Sequence, residues 1–146
     1  MNKNRYTGKC LCGEVVFEVE EIVGPFELCH CSKCRKSTGS AYAAMIGVSS
    51  KGYKITSGLE LIESFTLPVE EKAPGYTTYF CSGCGSKTPN PKPDNEWFEI
   101  PAGLFDCELP NSPDRHIYVD HAPEWEMFYP DLPRYTKLEL RKKRKM

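Results

Sequence analysis

The stretch ELCHCSKCRKSTGS, residues 27–40, holds three cysteines within six positions. They are Cys29, Cys31 and Cys34, and they lie too close together along the chain to be three independent core residues. Three sulfur atoms at this spacing indicate a metal site, whereas a closed tetrahedral site needs four ligands. The stretch therefore predicts a site whose fourth ligand comes from elsewhere in the chain, from water or from a substrate.

The other five of the eight cysteines form two pairs and one single cysteine. KCLCGE contains Cys10 and Cys12, FCSGCGS contains Cys81 and Cys84, and FDCELP contains Cys107. A Cys-x-x-Cys turn can aim both sulfurs at one ion, and alternate residues of a strand point to the same face, so each pair can supply two ligands. Three clusters favour metal over buried thiols, and their spacings favour zinc over an iron–sulfur cluster. A redox dithiol at the last pair would need a βαβ context, which the sequence lacks.

Seven clustered cysteines cannot fill two four-coordinate sites, so four plus three is the natural division. The two pairs could then form a closed structural site, in which Gly83 and Gly85 can take positive φ and free N–H groups for the thiolates. The triplet forms an open site whose fourth position is left to water or substrate. The alternative is that Cys107 or His30 supplies the eighth ligand and both zinc ions are structural. His30 lies between two proposed ligands, so on an extended segment its ring should point away from the ion.

Charge and hydropathy limit the classes of partner. The chain has 146 residues, enough for one domain, and its net charge of -1 does not suit general polyanion binding. The N-terminus MNKNRYTG lacks the apolar core of a signal peptide, and no apolar run approaches the roughly 20 residues that span a membrane. We therefore expect a cytoplasmic protein without a membrane partner. In that compartment thiols stay reduced and available for metal.

The basic residues are concentrated at the C-terminus. RKKRK, residues 141–145, holds five of the 19 lysines and arginines. We predict a single domain over residues 1–140 and a basic tail over residues 141–146 that is solvated and frayed. The other interpretation is that this tail contacts an anion or nucleic acid. No nucleic-acid partner is expected for the rest of the chain.

Period-two alternation and β-branched residues indicate a mainly β fold. EVVFEVE, residues 14–20, alternates as a half-buried strand does. AYAAMIGV is predicted as a buried strand or short helix, and further strands are predicted in GYKITS, LELIESFTL, TTYF, WFEIPAGLF, HIYVDHA and RYTKLEL. Proline-rich segments such as TPNPKPDN separate them, and no long helical period is present. Trp97 and Trp125 are expected to pack in the core.

Five motifs follow one another in an order that is typical of a known family. They are GKCLCGEVVF, CHCSKCRKSTGS, YFCSGCGS, IPAGLFD and HIYVDHAPEW. Over residues 5–135 the chain resembles the glutathione-dependent formaldehyde-activating enzyme family, which also includes centromere protein V. The resemblance implies the Mss4-like fold of small, coiled β-sheets. It implies a structural zinc ion held by Cys10, Cys12, Cys81 and Cys84. It also implies a second zinc ion, with an exchangeable position, held by Cys29, Cys31 and Cys34. Cys107 matches no ligand of the family.

An ion held by three thiolates suits sulfur better than water. Three thiolates leave zinc a weaker Lewis acid than three imidazoles would, so activating water for hydrolysis is not its obvious use. A sulfur-rich zinc ion can instead hold an incoming thiol as the thiolate, which is the nucleophile. Together with the resemblance, this predicts a zinc-dependent carbon–sulfur lyase. The enzyme would add a zinc-bound glutathione thiolate to formaldehyde or a related small electrophile, with Cys29, Cys31 and Cys34 at the catalytic centre.

The carboxylates of glutathione would need cations, and three lie beside the triplet: Lys33, Arg35 and Lys36. Arg35 is the predicted carboxylate contact, and Ser40 is a predicted hydrogen-bond donor to the substrate. His116 is either a proton carrier or a structural histidine, and we favour the structural role. The alternative function is a non-catalytic, zinc-stabilised module that binds glutathione, a protein or nucleic acid. The sequence leaves the electrophile and the oligomeric state open.

Overall fold

The computed structural model describes residues 5–68, 75–126, 128 and 132–145. These residues form ten strands in three small sheets, with two short helices and three single turns of 3-10 helix. The predicted mainly β fold class is therefore confirmed. Within the described ranges, no helix is both long enough and apolar enough to cross a membrane.

The three sheets differ in size and in strand direction. The three-stranded sheet is antiparallel and has the order β1 (Tyr6–Lys9), β2 (Val16–Val19) and β5 (Lys54–Ser57). The two-stranded sheet is an antiparallel pair of β6 (Ile62–Leu67) and β7 (Tyr76–Cys81). The five-stranded sheet has the order β10 (Arg134–Tyr135), β9 (Arg115–Ile117), β3 (Ile22–Cys29), β4 (Ala43–Ser49) and β8 (Trp97–Pro101). In it β9 runs parallel to both of its neighbours. The 3-10 turns lie at Leu59–Leu61, Ala102–Leu104 and Val119–His121. Strands β1 and β3 lie outside the segments that the sequence pattern predicts as strands.

One face of the five-stranded sheet packs onto the three-stranded sheet. Val48 and Ile100 of the larger sheet and Phe17 and Val19 of β2 form one fully buried cluster. Alternate residues of a strand point to opposite faces, so Glu18, between the two buried residues of β2, points away from this cluster. The alternation in EVVFEVE therefore predicts the buried face of β2 correctly.

The opposite face of the five-stranded sheet carries polar and sulfur side chains. Strand register places Glu27 opposite Met45 and Glu99 opposite Gly47, and Cys29 follows two residues after Glu27 on β3. Directly opposed residues and alternate residues of one strand share a face, so Glu27, Cys29 and Glu99 project from the same side. This face forms the floor of the candidate site.

Helix α1 (Ser32–Thr38) follows β3 after one tight turn. Its N-cap is Cys31, whose sulfur accepts a hydrogen bond from the Cys34 N–H at 3.4 Å, and Gly39 ends the helix with a φ of 66°. Seven residues are too few for helical periodicity to stand out in the sequence. The sequence of this stretch therefore shows the spacing of the cysteines clearly but gives no clear sign of the helix.

Helix α2 (Lys137–Arg144) replaces most of the strand predicted in RYTKLEL, and only Arg134–Tyr135 is extended. Thr136 begins the helix because its hydroxyl accepts a hydrogen bond from the Glu139 N–H, while the Glu139 carboxylate accepts one from the Thr136 N–H. Leu140 is buried in the cluster that contains the end of β3. Capping and burial therefore stabilise a helix here, although the alternation of the sequence predicted a strand.

The basic segment at the C-terminus does not form a frayed tail. Residues 141–144 continue α2 past residue 140, where the domain was predicted to end. Arg144 Nη2 donates to both carboxylate oxygens of Glu27, at 2.9 Å and 3.2 Å. Glu27 is fully buried, so this charge-assisted contact supplies a partner that the buried carboxylate requires. The expectation of a frayed terminus is wrong for these residues.

Both tryptophans lie at the surface, so the expectation of core packing is wrong. Trp97 is 46% exposed and Trp125 is 70% exposed. Trp97 begins β8, in which Ile100 belongs to the buried cluster and Phe98 packs against it. Strand alternation consequently turns Trp97 and Glu99 to the other face.

Replacing Gly47 by alanine should destabilise the protein by about 1–3 kcal/mol. A Cβ at this position would overlap the backbone carbonyl of Gly24, in the part of β3 where the register with β4 shifts between Ile22 and Phe26. Urea unfolding measures the loss. Gly103→Ala is the matched control, because a Cβ there would meet no atom within 4 Å. An unfolding midpoint for Gly47→Ala equal to that of the control would contradict the expected overlap.

Candidate metal centres and active site

Four cysteine sulfurs from two distant segments come together: Cys10, Cys12, Cys81 and Cys84. All four lie within 4.8 Å of one another, with 3.5 Å between Cys10 and Cys12 and 3.9 Å between Cys12 and Cys81. Zinc–sulfur bonds of about 2.3 Å in a tetrahedron place the sulfurs roughly 3.8 Å apart. The four-cysteine group could therefore hold one zinc ion without rearrangement of its sulfurs.

Backbone N–H groups point at these sulfurs. Val15 N–H donates to Cys10 Sγ and Gly83 N–H donates to Cys81 Sγ, each at 3.3 Å. Gly85 has a φ of 76°, as predicted, whereas Gly83 lies outside the positive-φ region and contributes only its N–H group. Donors aimed at sulfur stabilise the thiolate form. The local backbone thus suits metal ligation.

The four-cysteine group also joins two of the sheets. Cys10 directly follows β1, Cys81 ends β7, and both are buried together with Val15. An ion at this point would tie the turn between β1 and β2 to the end of the two-stranded sheet. Such a position suits a structural ion.

The other three clustered cysteines meet where β3 passes into α1. Cys29 ends β3, Cys31 caps α1, and Cys34 lies in the first turn of the helix. Their sulfurs lie within 4.8 Å of one another, and no further cysteine, histidine or carboxylate ligand atom from the described ranges joins them. Hydrogen bonds from Cys29 and Cys34 lower the pKa of the Cys31 thiol because they stabilise its thiolate. The hydrogen bonds with Cys31 and Cys34 raise the pKa of the Cys29 thiol, so a single thiolate, on Cys31, is favoured within the group.

Neither Cys107 nor His30 completes the three-cysteine group. Cys107 Sγ lies 3.7 Å from the carbonyl oxygen of Thr7, which belongs to β1 of the three-stranded sheet. His30 Nε2 lies 2.9 Å from Nδ1 of His116, and both imidazoles are fully buried. The His30 ring therefore points away from the sulfurs. The interpretation in which one of these residues supplies an eighth ligand has no support in the described geometry.

His116 belongs to this buried pair. Burial lowers the pKa of His30 to about 4, with a smaller contribution from His116, and burial also lowers the pKa of His116. The Phe128 ring packs against both imidazoles, with centroid distances of 4.9 Å and 5.0 Å. Two neutral, enclosed rings suit the structural role predicted for His116.

Cys107→Ser should leave the metal content unchanged. Because Cys107 lies outside both cysteine groups, removal of its sulfur takes no ligand from either. Metal analysis of the purified variant against the unaltered protein checks this, with two zinc equivalents expected in both. Loss of one equivalent in Cys107→Ser would return Cys107 to the set of ligands and would contradict the open three-cysteine site.

A cavity of about 310 Å³ lies beside the three-cysteine group, and all three of its cysteines line it. The cations along its wall are Lys33 from α1 and Lys137 and Arg144 from α2, and its phenols are Tyr76 and Tyr118. Positive charge next to a sulfur cluster suits an anionic ligand that carries a thiol.

The two predicted substrate contacts stand elsewhere. Arg35 lies in α1, and its buried Nε–H meets no acceptor among the described residues. Ser40 is exposed beyond the end of α1, and its backbone N–H donates to the Arg35 carbonyl. Neither residue lines the cavity, whereas Lys33 does. Of the three cations that lie beside the triplet in sequence, Lys33 is thus the one that lines this cavity.

Glu99 is a cavity residue that no motif in the sequence singles out. Burial raises its pKa to about 7, and the neighbouring Glu27 carboxylate adds to the rise while Arg144 opposes it. Strand alternation was the available signal, because Phe98 and Ile100 flank Glu99 and point to the core. For Arg144 there was no such signal, since the helix that carries it was not predicted.

Comparison with known proteins identifies the family. The sequence profile of the family described as "Glutathione-dependent formaldehyde-activating enzyme" matches residues 5–121. The chain belongs to this family. The family segment includes both cysteine groups and strands β1 to β9, whereas α2, which brings Lys137 and Arg144 to the cavity, lies beyond it. This member of the formaldehyde-activating family therefore completes its cavity with residues outside the matched segment.

One relative agrees with the assignment to the family, and one solved structure agrees with the fold. A Halomonas elongata protein with the provisional name glutathione-dependent formaldehyde-activating enzyme is 29% identical over 123 residues, which are 81% of this chain and 77% of that protein. A crystal structure of a Rhodobacter sphaeroides protein matches with a TM-score of 0.51 at 24% identity, covering 71% of this chain and 91% of that one. At this level of identity the structural match concerns the fold, which agrees with the expected small sheets.

Proposed function

We propose that this member of the formaldehyde-activating family is a carbon–sulfur lyase. In the direction of synthesis, the sulfur of glutathione bonds to the carbon of formaldehyde or of a related small electrophile. The product with formaldehyde is S-hydroxymethylglutathione. The observation that supports this proposal is the three-cysteine group at the cavity, which receives no fourth ligand from the described chain.

Two zinc ions are part of the proposal, one structural and one with an exchangeable position. The four-cysteine group would hold the structural ion, and Cys29, Cys31 and Cys34 would hold the other. The soft donors and the sulfur spacing of the two groups fit zinc. Zinc at the three-cysteine group would supply an electrophilic centre that lowers the pKa of a thiol entering the cavity.

The cations of the cavity would bind and orient glutathione. Its two carboxylates can be held by Lys33 from one wall and Lys137 from the other, so that the thiol points to the sulfur cluster. Arg35 and Ser40 remain proposed contacts, and Arg35 still has an uncommitted Nε–H to donate. Fixing the thiol in place converts a bimolecular addition into a nearly unimolecular one. Binding energy accelerates the reaction in this way because it offsets the entropy lost when the reactants come together.

Exchange NMR tests the proposed reaction. Glutathione and formaldehyde interconvert with their adduct without an enzyme, so the zinc-loaded protein should raise the exchange rate in proportion to its concentration. The same measurement with an uncharged thiol such as 2-mercaptoethanol is the matched control, since it has no carboxylates for the lysines. Exchange no faster than the spontaneous rate would reject formaldehyde as the electrophile. Glutathione binding without acceleration would favour the binding-module function instead.

A further inference from the structure

Glu99 stands beside the three-cysteine group without belonging to it. It lines the cavity of about 310 Å³ together with those cysteines, and it also lines an adjoining cavity of about 210 Å³ next to Cys34. The register of β3, β4 and β8 sets Glu99 on the same face of the sheet as Cys29. The Glu99 carboxyl therefore borders the space into which a substrate sulfur must enter.

Charged groups face Glu99 from each neighbouring element. Glu27 of β3 acts on it with negative charge, while Arg144 of α2 and Arg115 of β9 act on it with positive charge. Both oxygens of Glu27 accept from Arg144, at 2.9 Å and 3.2 Å, and this carboxylate is fully buried. Glu27 is thus committed to an ion pair, whereas Glu99 faces the cavities.

The environment leaves Glu99 able to exchange a proton at neutral pH. Burial, followed by the negative charge of Glu27, raises its pKa to about 7, so both protonation states are populated. Burial raises the pKa of Tyr76 and of Tyr118, so these phenols stay protonated and cannot accept a proton. His121 also lines the cavity, but it is exposed and lies 3.7 Å from Asp120. It is the competing candidate for the test below.

We propose that Glu99 carries the proton between the substrate thiol and the carbonyl oxygen, an inference that rests on the proposed lyase function. A carboxylate oxygen of Glu99 takes the proton from the thiol. The sulfur electron pair then forms the bond to carbon, the carbonyl π electrons move to oxygen, and Glu99 returns the proton to that oxygen. Glu99 ends in its starting carboxylate form, so thiol and aldehyde are the only reactants. Splitting of the adduct follows the same steps in reverse.

Glu99→Gln in the full-length, zinc-loaded protein tests this role. The glutamine keeps the shape and cannot take up the proton, so exchange should slow by about 10²–10⁴-fold while two zinc equivalents and glutathione binding are retained. In the unaltered protein, kcat/KM for addition should fall on the acid side of pH 7, because protonated Glu99 cannot accept the thiol proton. That acid limb should be absent from Glu99→Gln. Glu96→Gln, an exposed glutamate just before β8, is the matched control and should keep both rate and profile.

Carboxyl-carbon NMR gives a readout that does not depend on activity. One glutamate resonance should titrate near pH 7 and should be missing from Glu99→Gln. Titration of that resonance near the ordinary value for glutamate would overturn the proposal. An unchanged rate and pH profile in Glu99→Gln would also overturn it. The same holds if the acid limb disappears in His121→Gln and not in Glu99→Gln. In each of these cases the lyase function would stand. If the unaltered protein does not accelerate exchange at all, the lyase function fails and the proton role fails with it.

Discussion

Cys31→Ser should remove one of the two zinc equivalents and lower the glutathione-dependent exchange by at least about 100-fold. Loss of a partner that only orients a metal ligand already costs about 10–100-fold, and here a ligand itself is lost. A serine hydroxyl is a hard donor that keeps its proton at neutral pH, so it cannot replace the sulfur. Metal analysis and exchange NMR on the same preparation measure both effects.

The fold should survive this substitution. Cys31 is partly exposed and packs against the small cluster of Cys29, Ile117 and Leu140, outside the main core cluster. Cys107→Ser serves as the control, since it removes a sulfur that belongs to neither group. Near-ultraviolet circular dichroism and the unfolding midpoint should match those of the control. An unfolded Cys31→Ser protein would make the three-cysteine group structural, and full activity would remove it from the mechanism.

The features that could be predicted from the sequence are those set by spacing along the chain. The cysteine clusters are one case, because only one or two residues lie between neighbouring ligands and limit where their sulfurs can lie. Strand β2 is another, since alternation marks it directly, whereas the apolar run AYAAMIGV left strand and short helix open and forms strand β4. The pattern also contained Glu27 and Glu99, each next to core residues, although only the pairing of strands shows that they share a face with Cys29.

The features that were missed depend on contacts between distant segments. The contact of Arg144 with Glu27 joins residues 117 positions apart, and no local pattern encodes it. RYTKLEL alternates as a strand would, yet burial of Leu140 and the cap at Thr136 make most of it a helix. Tertiary packing overrides a local preference of this size. For the same reason, the substrate contacts chosen by closeness to the triplet, Arg35 and Ser40, differ from the residues that line the cavity.

Cys81→Ser should leave the protein unfolded or lower its melting temperature by at least about 15 °C. A structural zinc ion supplies roughly 10–16 kcal/mol of apparent folding free energy in small zinc domains, and a whole domain is stable by only about 5–15 kcal/mol. For a protein of this size, each kcal/mol corresponds to about 2–4 °C, so a loss of several kcal/mol suffices. Differential scanning calorimetry measures the change.

The position of Cys81 explains why this effect should exceed that of Cys31→Ser. Cys81 is fully buried at the end of β7, where it packs with Val15 and Cys10, and its sulfur accepts from the Gly83 N–H. Serine there would lose the ion and leave the two-stranded sheet without its link to the turn after β1. A chelator added to the unaltered protein should lower the melting temperature by a similar amount, since it removes the same ion. If Cys81→Ser melts within about 5 °C of the unaltered protein, which corresponds to at most about 2.5 kcal/mol, the four-cysteine group contributes little to folding and its structural role is wrong.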